Sequence, residues 1–160
     1  MPRDTGSIPV DVLIKIERSM FYQVKVKFQK QTDEGLLKTV TEAYLVDAVS
    51  FTEAEARITG IMSAEIEGEF KVKAAAETNY EQILMLDDYA SLYKCKVTFV
   101  TIDDDTTKEK KVNRFMLVAA SDIKNAYERV TENMSNLLVP YSIESINSTP
   151  IVNVFPFTGE

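Results

Sequence analysis

A segment that begins at Tyr22 recurs 71 residues later, and this repeat constrains the fold more than any other feature of the chain. Tyr22–Phe28 and Tyr93–Phe99 share a tyrosine, a lysine, a valine and a phenylalanine at the same places. Further matches at this offset are Glu42–Ala48 with Asn113–Ala119, Ser50 with Ser121, and Phe70–Val72 with Tyr141–Ile143. Matches shifted by one residue are Ala54, Arg57 and Met62 with Ala126, Arg129 and Met134. Their collinear order predicts an internal duplication with a single-residue insertion.

Each copy begins with a pattern typical of two strands. Apolar and polar residues alternate through Tyr22–Phe28, which indicates a strand with one buried face. Turn-forming residues follow at Thr32–Gly35 and, in the second copy, at Asp103–Thr106. The second strands are predicted near Val40–Val49 and Val112–Ala120, where both faces are largely apolar.

A helix follows these strands in each copy. Ser50 and Glu53 fit a capping box, and an apolar stripe runs from Ala54 to Ile66. Gly68 follows, a residue suited to the left-handed conformation at a helix end. In the second copy we expect Ser121 to be the N-cap, with Asp122 in the first turn. The predicted apolar stripes are Ala54, Ile58, Ile61 or Met62, and Ile66 in the first helix, and Ile123, Tyr127, Val130, Met134 and Leu137 in the second. Pro140 stops the second helix.

Two further strands close each copy, and the pattern is therefore ββαββ twice. They are predicted at Phe70–Ala76 and Tyr80–Leu86, then at Tyr141–Ile146 and Ile151–Phe157. Short connections favour antiparallel pairing, so we predict an α+β fold of antiparallel sheets with a helix from each repeat packed on one side. The repeats span residues 20–90 and 91–160, and at this size we expect them to share one core as one compact unit.

Residues 1–19 lie outside the repeat. Val10, Val12, Ile14 and Ile16 alternate with other residues, which predicts one more strand. That strand is either an edge strand of this chain or an arm that pairs with a neighbouring copy in a homo-oligomer.

The composition excludes several classes of function. The chain has no histidine, so it carries no Ser-His-Asp or Cys-His device and no histidine-ligated zinc. Its one cysteine, Cys95, permits neither an internal disulfide nor a thiolate cluster. No apolar run is long enough to span a membrane, and no signal peptide begins the chain. We therefore expect a soluble cytoplasmic protein that is not an enzyme and has no cofactor or metal.

Three stretches resemble an uncharacterised family. They are Tyr44–Arg57, Phe115–Lys124 and Ser148–Phe157, and the resemblance runs from about residue 20 to residue 157. The family is a domain-of-unknown-function family common in Bacteroidetes and in their phages. The resemblance implies a bacterial cytoplasm and a phage gene, and it carries no catalytic or binding residues.

A set of lysines is the leading candidate site. Each lies on a predicted strand with its side chain opposite the apolar face: Lys25, Lys27, Lys71, Lys73, Lys94 and Lys96. If these strands share a sheet, the six ammonium groups converge on the face away from the helices, where they would bind phosphates. The alternative is that the lysines only keep a solvated face soluble.

Other candidates have simpler explanations. Asp103–Asp105 is able to hold a divalent cation, but a solvated turn explains it as well. Cys95 has the parity of a buried and therefore inert thiol. The core-facing aromatic set is predicted as Tyr22, Tyr44, Tyr93 and Phe115, and a second set near strand ends, able to line a pocket or an interface, as Tyr80, Tyr89, Phe155 and Phe157.

The sequence thus favours a non-enzymatic binding protein whose lysine face holds a phosphate-bearing ligand. That ligand is single-stranded nucleic acid or a nucleotide, and in a phage the nucleotide is a candidate host defence signal. The alternative is a structural or assembly protein, such as a virion component, that docks through its N-terminal strand.

Overall fold

The computed structural model describes residues 13–15, 20–86 and 88–156, and this part of the chain forms nine strands and two helices. The strands are β1 (Leu13–Lys15), β2 (Met20–Gln31), β3 (Leu37–Ala48), β4 (Phe70–Glu77), β5 (Tyr80–Leu84), β6 (Ser91–Ile102), β7 (Glu109–Ala120), β8 (Tyr141–Ser148) and β9 (Ile151–Phe155). The helices are α1 (Phe51–Glu65) and α2 (Ile123–Asn133). The α+β class is as predicted, and the order after β1 is ββαββ twice.

The chain divides into two compact units. The β2 unit contains the described residues 20–79 and 150–156, and the β6 unit contains the described residues of 13–15 and 80–149. These boundaries differ from the sequence repeats 20–90 and 91–160, because the last strand of each repeat lies in the unit formed by the other.

The β2 unit is a four-stranded sheet with α1 on one face. The strand order is β4-β2-β3-β9, in which β9 is parallel to β3 and the other pairs are antiparallel. Alternate residues of β2 point to the helix, where the buried cluster is Tyr22, Val24, Val26, Tyr44, Val46, Ala48, Ala54, Ile58 and Met62. The predicted stripe of α1 is confirmed, and Ser50 caps the helix as expected, since its side chain accepts from the amide of Glu53.

The β6 unit is a five-stranded sheet with α2 on one face. The order is β1-β5-β7-β6-β8, in which β5 is parallel to β7 and the other pairs are antiparallel. The buried residues on the helix side include Leu84, Cys95, Val97, Met116, Val118, Val130 and Met134. The short strand β1 pairs with β5 of the same chain. Of the predicted N-terminal strand, Val10, Val12 and Ile16 lie outside the described residues.

The expectation that short connections give antiparallel neighbours is wrong at two places. Two residues join β4 to β5 and two join β8 to β9, yet neither pair of strands is hydrogen-bonded. A two-residue hairpin of the favoured types needs a residue with positive φ. None of Thr78, Asn79, Thr149 and Pro150 has one, so each chain segment runs on into the other unit instead of turning back.

The prediction that Ser121 caps the second helix is also wrong. The N-cap is Asp122, whose carboxylate accepts from the amide of Asn125 at 2.7 Å. The loop between β2 and β3 has residues 32–36, whereas the loop between β6 and β7 has residues 103–108 and is one residue longer. The insertion therefore lies in this hairpin, before β7, and the correct offset from β7 through α2 is 72.

The same displacement changes the buried face of α2. The residues buried on α2 and at its C-cap are Ala126, Val130 and Met134, at offset 72 from Ala54, Ile58 and Met62. The predicted stripe members Ile123, Tyr127 and Leu137 are instead exposed, at 55%, 53% and 46%. In the described part of the chain, neither helix has the length and apolar character needed to cross a membrane.

Candidate functional site

Four of the six predicted lysines lie together in the β2 unit. Lys25 and Lys27 are on β2, and Lys71 and Lys73 are on β4, the strand beside it. All four side chains are exposed. Their apolar neighbours Val24, Val26, Phe70 and Val72 pack on the helix side, so strand alternation directs Lys25, Lys27 and Lys71 to the other face. We call these four residues the lysine surface.

The register brings the charges close to one another. Lys27 and Lys71 are directly opposite in the β2–β4 ladder, a position where Cβ atoms are typically about 5 Å apart. Lys25 and Lys27 are two residues apart on one strand, a spacing of about 7 Å. The ladder shifts register between Lys25 and Val26, which leaves Lys73 as the extra residue of a bulge. A bulge interrupts the alternation of faces, so the direction of the exposed Lys73 side chain follows from the bulge and not from the alternation.

Within the described part of the chain, none of the four ammonium groups of the lysine surface forms an ion pair with Asp or Glu. By contrast, the Nζ atom of Lys30 at the end of β2 lies 4.0 Å from the Oε2 atom of Glu42. The same alternation places polar neighbours on this face, none of which was predicted as part of the site: Gln23, Gln29, Thr39 and Thr41. Like charges directly opposite in a ladder destabilise it, so an anion bound here would relieve the repulsion between Lys27 and Lys71.

A groove opens at the end of this sheet next to the lysine surface. It has a volume of about 1000 Å³, and Lys27 and Lys71 line one part of it. Phe28 and Phe70, which are opposite each other in the β2–β4 ladder, line another part together with the loop that follows α1. That loop turns at Gly68, which has a φ of +103° as predicted for a left-handed position, and it brings Glu67 and Glu69 to the groove. The groove residues were not predicted as a site.

The remaining two lysines lie in the β6 unit. Lys94 and Lys96 are half-buried on β6, in the other sheet. The Nζ atom of Lys94 lies 4.8 Å from the ring centroid of Phe115 and 5.6 Å from that of Tyr80, so two aromatic faces hold this cation. The six lysines therefore do not share a sheet, and the condition for their convergence is not met.

The β6 unit lacks a counterpart of the β4 lysines. At the matching places β8 carries Ser142 and Glu144, and the Ser142 hydroxyl donates to the Glu144 carboxylate. The basic surface is therefore a property of one unit.

Cys95 is fully buried, as predicted. It lies on the helix side of β6 with an exposed fraction of 0%, and burial raises its pKa to about 12. A thiol in this state is a poor nucleophile.

The three aspartates 103–105 form a turn. The carboxylate of Asp103 accepts from the amides of Asp105 and Thr106, at 2.8 and 3.3 Å. Within residues 13–15, 20–86 and 88–156, no group of three or more Asp, Glu and Cys side chains is arranged to hold a metal ion.

Three of the four predicted core aromatics lie in the core, and one does not. Tyr22, Tyr44 and Tyr93 are buried on the helix sides of their sheets, as expected. Phe115 is not in that position, because the extra residue of the β6–β7 loop shifts β7 by one place and turns Phe115 to the opposite face beside Lys94. Of the second set, Tyr80 is buried, Tyr89 and Phe155 are half-buried, and Phe157 lies outside the described residues.

Comparison with known proteins gives one family. No curated protein and no solved structure matches the chain. A family model does match, over residues 20–157, and it is described as a domain of unknown function, DUF4494. This range takes in the whole lysine surface and every described element except β1, and the chain belongs to the DUF4494 family.

Proposed function

We propose that this protein is a non-enzymatic binding protein that holds a phosphate-bearing ligand on the lysine surface. The observation that carries the proposal is the pair Lys27 and Lys71, which face each other across a ladder without a carboxylate partner among the described residues. Lys25 and Lys73 lie two residues from Lys27 and Lys71 on the same two strands, a spacing of about 7 Å that suits a ligand with one or two phosphate groups.

The adjoining groove favours a ligand of nucleotide size. Its volume of about 1000 Å³ is at the upper end of the usual range for small-molecule sites. Phe28 and Phe70 offer aromatic surface for a base, and the carboxylates of Glu67 and Glu69 are acceptors for an exocyclic amine. If the chain is phage-encoded, as its resemblance implies, binding of this kind would sequester a nucleotide signal of the host.

The test is a double charge reversal on the lysine surface. Lys25→Glu with Lys73→Glu should weaken binding of a labelled nucleoside triphosphate at least tenfold, because two of four cations become anions. The matched control is Lys108→Glu with Lys110→Glu, which makes the same change in net charge at exposed positions of the β6–β7 hairpin. Fluorescence polarisation at several salt concentrations measures both variants.

The dependence of affinity on salt concentration tests whether the ligand is a single-stranded nucleic acid. A single-stranded oligonucleotide that contacts all four lysines should show a slope of about −3 in log affinity against log salt, from roughly 0.7 for each phosphate neutralised. If the wild-type protein retains neither probe at low salt, or if the control variant loses as much affinity as the test variant, the proposal fails.

We also infer that the two ββαββ stretches arose by duplication. Matching contacts support this: the Thr78 hydroxyl donates to the Phe21 carbonyl, and the Thr149 hydroxyl donates to the Leu92 carbonyl, each at 2.7 Å. Two lysines are present on β4 and absent at the matching places of β8. In a duplicated chain, ligand binding was therefore either kept by one copy or gained by one copy.

A further inference from the structure

The groove beside the lysine surface contains an amide and a carboxylate next to each other. The β2–β4 ladder ends at Phe28 and Phe70, and the residues one place farther out are Gln29 and Glu69. Both are exposed, and both line the groove. The antiparallel register places Gln29 opposite Glu69, and strand alternation puts Gln29 on the same face as Lys27, about 7 Å away along β2.

The other repeat shows that the fold does not need these two polar side chains. Their counterparts at offset 71 are Val100 and Pro140, which lie opposite each other in the β6 unit, since the Val100 amide donates to the Pro140 carbonyl at 3.1 Å. Neither counterpart has a polar side-chain atom. The pair Gln29 and Glu69 is therefore present only in the copy that also carries the lysine surface.

The charges of the groove are separated. Lys27 and Lys71 line one part of it, and Glu69 lines another without forming an ion pair to either lysine. Leu37, which is 68% exposed, adds apolar surface to the groove. A carboxylate repels a phosphate, so a ligand that has phosphates at one end enters with that end towards the lysines. Its other end then meets Glu69 and Gln29.

Hydrogen-bond chemistry identifies the group that suits this second part of the groove. A carboxylate only accepts, through two oxygens, whereas an amide also donates through its NH₂ group. The Watson–Crick edge of guanine presents the O6 acceptor followed by two donors, N1–H and the N2 amine. Glu69 matches the two donors, and Gln29 matches O6. Adenine presents an acceptor at N1, which a carboxylate oxygen cannot pair with.

We propose that the ligand of the lysine surface is a guanine nucleotide, whose phosphates contact Lys27 and Lys71 and whose base is read by Glu69 and Gln29. The inference rests on the proposed function, because it names the base of the nucleotide that the lysines bind. The step of two residues between the two pairs is comparable to the distance from the phosphate to the base within one nucleotide.

The choice among nucleotides by the wild-type protein is the first test. Labelled GTP is displaced at low salt by GTP, by ATP, by ITP, which lacks only the N2 amine, and by inorganic triphosphate, which has no base. GTP should bind about tenfold more tightly than ATP, as expected of one two-point contact to a base, and severalfold more tightly than ITP.

The same titrations separate the two levels of the argument. Equal affinities for GTP, ATP and ITP would overturn base recognition while leaving phosphate binding in place. If the protein retains neither a nucleoside triphosphate nor inorganic triphosphate, the proposed function itself fails.

The second test is a reversal of specificity through Glu69→Gln. Xanthine carries a carbonyl where guanine carries the N2 amine, so the introduced amide is able to accept from N1–H and donate to that carbonyl. This variant should bind XTP more tightly than GTP, the reverse of the wild-type order. It should bind inorganic triphosphate at least as tightly as the wild type does, because an anion has been removed from the groove.

The matched control is Glu55→Gln, which makes the same change in charge at an exposed position of α1 outside the groove. It should keep the wild-type order of nucleotides. If Glu69→Gln also prefers GTP to XTP, or if Glu55→Gln reverses the order as well, Glu69 does not read the base and the inference is wrong.

Discussion

The position of Cys95 on the buried face of β6 determines whether its thiol ionises. It is the β6 counterpart of Val24 on β2, and both are completely buried on the helix-facing side of their sheets. Burial disfavours the thiolate and raises the pKa from 9.0 to about 12. The residue behaves as a small apolar side chain that carries an ionisable group.

The buried thiol makes stability depend on pH in the alkaline range. Well below pH 9 the thiol is neutral in both the folded and the unfolded chain. Above it the unfolded chain ionises first, so the free energy of unfolding falls as the pH rises towards about 12. Tyr80, whose pKa burial raises from 10.0 to about 12, adds to the same fall.

The substitution Cys95→Val, which introduces the residue type found at Val24, should reduce this dependence. Urea unfolding at about pH 8 and about pH 10.5 should show a smaller loss of stability in the variant than in the wild type, because only the tyrosine contribution remains. If the two proteins lose equal stability over this interval, the thiol is not held neutral by the fold.

At the scale of elements, two adjacent residues, Ser121 and Asp122, are candidates for the N-cap of α2. Asp122 accepts from the amide of Asn125, whereas the Ser121 hydroxyl donates to the side chain of Asn125 at 3.3 Å. Only the first contact satisfies a free amide of the first helical turn. Asp122 also places a negative charge where the helix dipole favours one.

The two substitutions should therefore differ in cost. Asp122→Ala should lower the free energy of unfolding by about 1 kcal/mol, and Ser121→Ala by no more than a few tenths of that. Thermal and urea unfolding of both variants measure the difference. A larger loss for Ser121→Ala would place the cap where the repeat at offset 71 suggested.

Most elements were predictable, and each error has an identifiable physical cause. Alternation in Tyr22–Phe28 and the capping residues of α1 depend on near neighbours, which sequence displays directly. The face of Phe115 depends on the length of a turn, and one added residue moves each side chain of β7 to the face opposite that expected at offset 71. The partners of β5 and β9 depend on contacts far apart in sequence, and no local pattern reports them.

The lysine surface, too, could be predicted only as far as single strands reveal it. The alternation of Lys25 and Lys27 on β2 and the exposure of Lys71 on β4 were predictable, because each follows from one strand. That β4 lies beside β2 while β6 belongs to another sheet follows from pairing, which the strands do not reveal singly. The bulge at Lys73 requires the register itself.

At the scale of the whole molecule, the sequence repeats and the compact units have different boundaries. Residues 20–90 contain β5 without its neighbour β7, and they leave β3 without β9. A fragment of these residues should lack a cooperative thermal transition and should show little dispersion in its amide NMR spectrum, since one edge of its core is open.

A rearranged fragment is the matched control. Residues 20–79 joined through a flexible Gly/Ser linker to residues 150–156 contain every strand of the β2 unit and should fold cooperatively. Cooperative folding of 20–90 alone, with no gain from the rearrangement, would contradict the assignment of β9 to this unit.

The place of β9 also has a consequence for how the protein is made. The edge of β3 that receives β9 is synthesised by Ala48, but the strand that covers it ends at Phe155. At about 5–20 residues per second, a ribosome needs roughly 5–20 s to cover that distance. During this interval β3 lacks the partner strand β9, so the β2 unit completes its described sheet only when nearly all of the described chain has been synthesised.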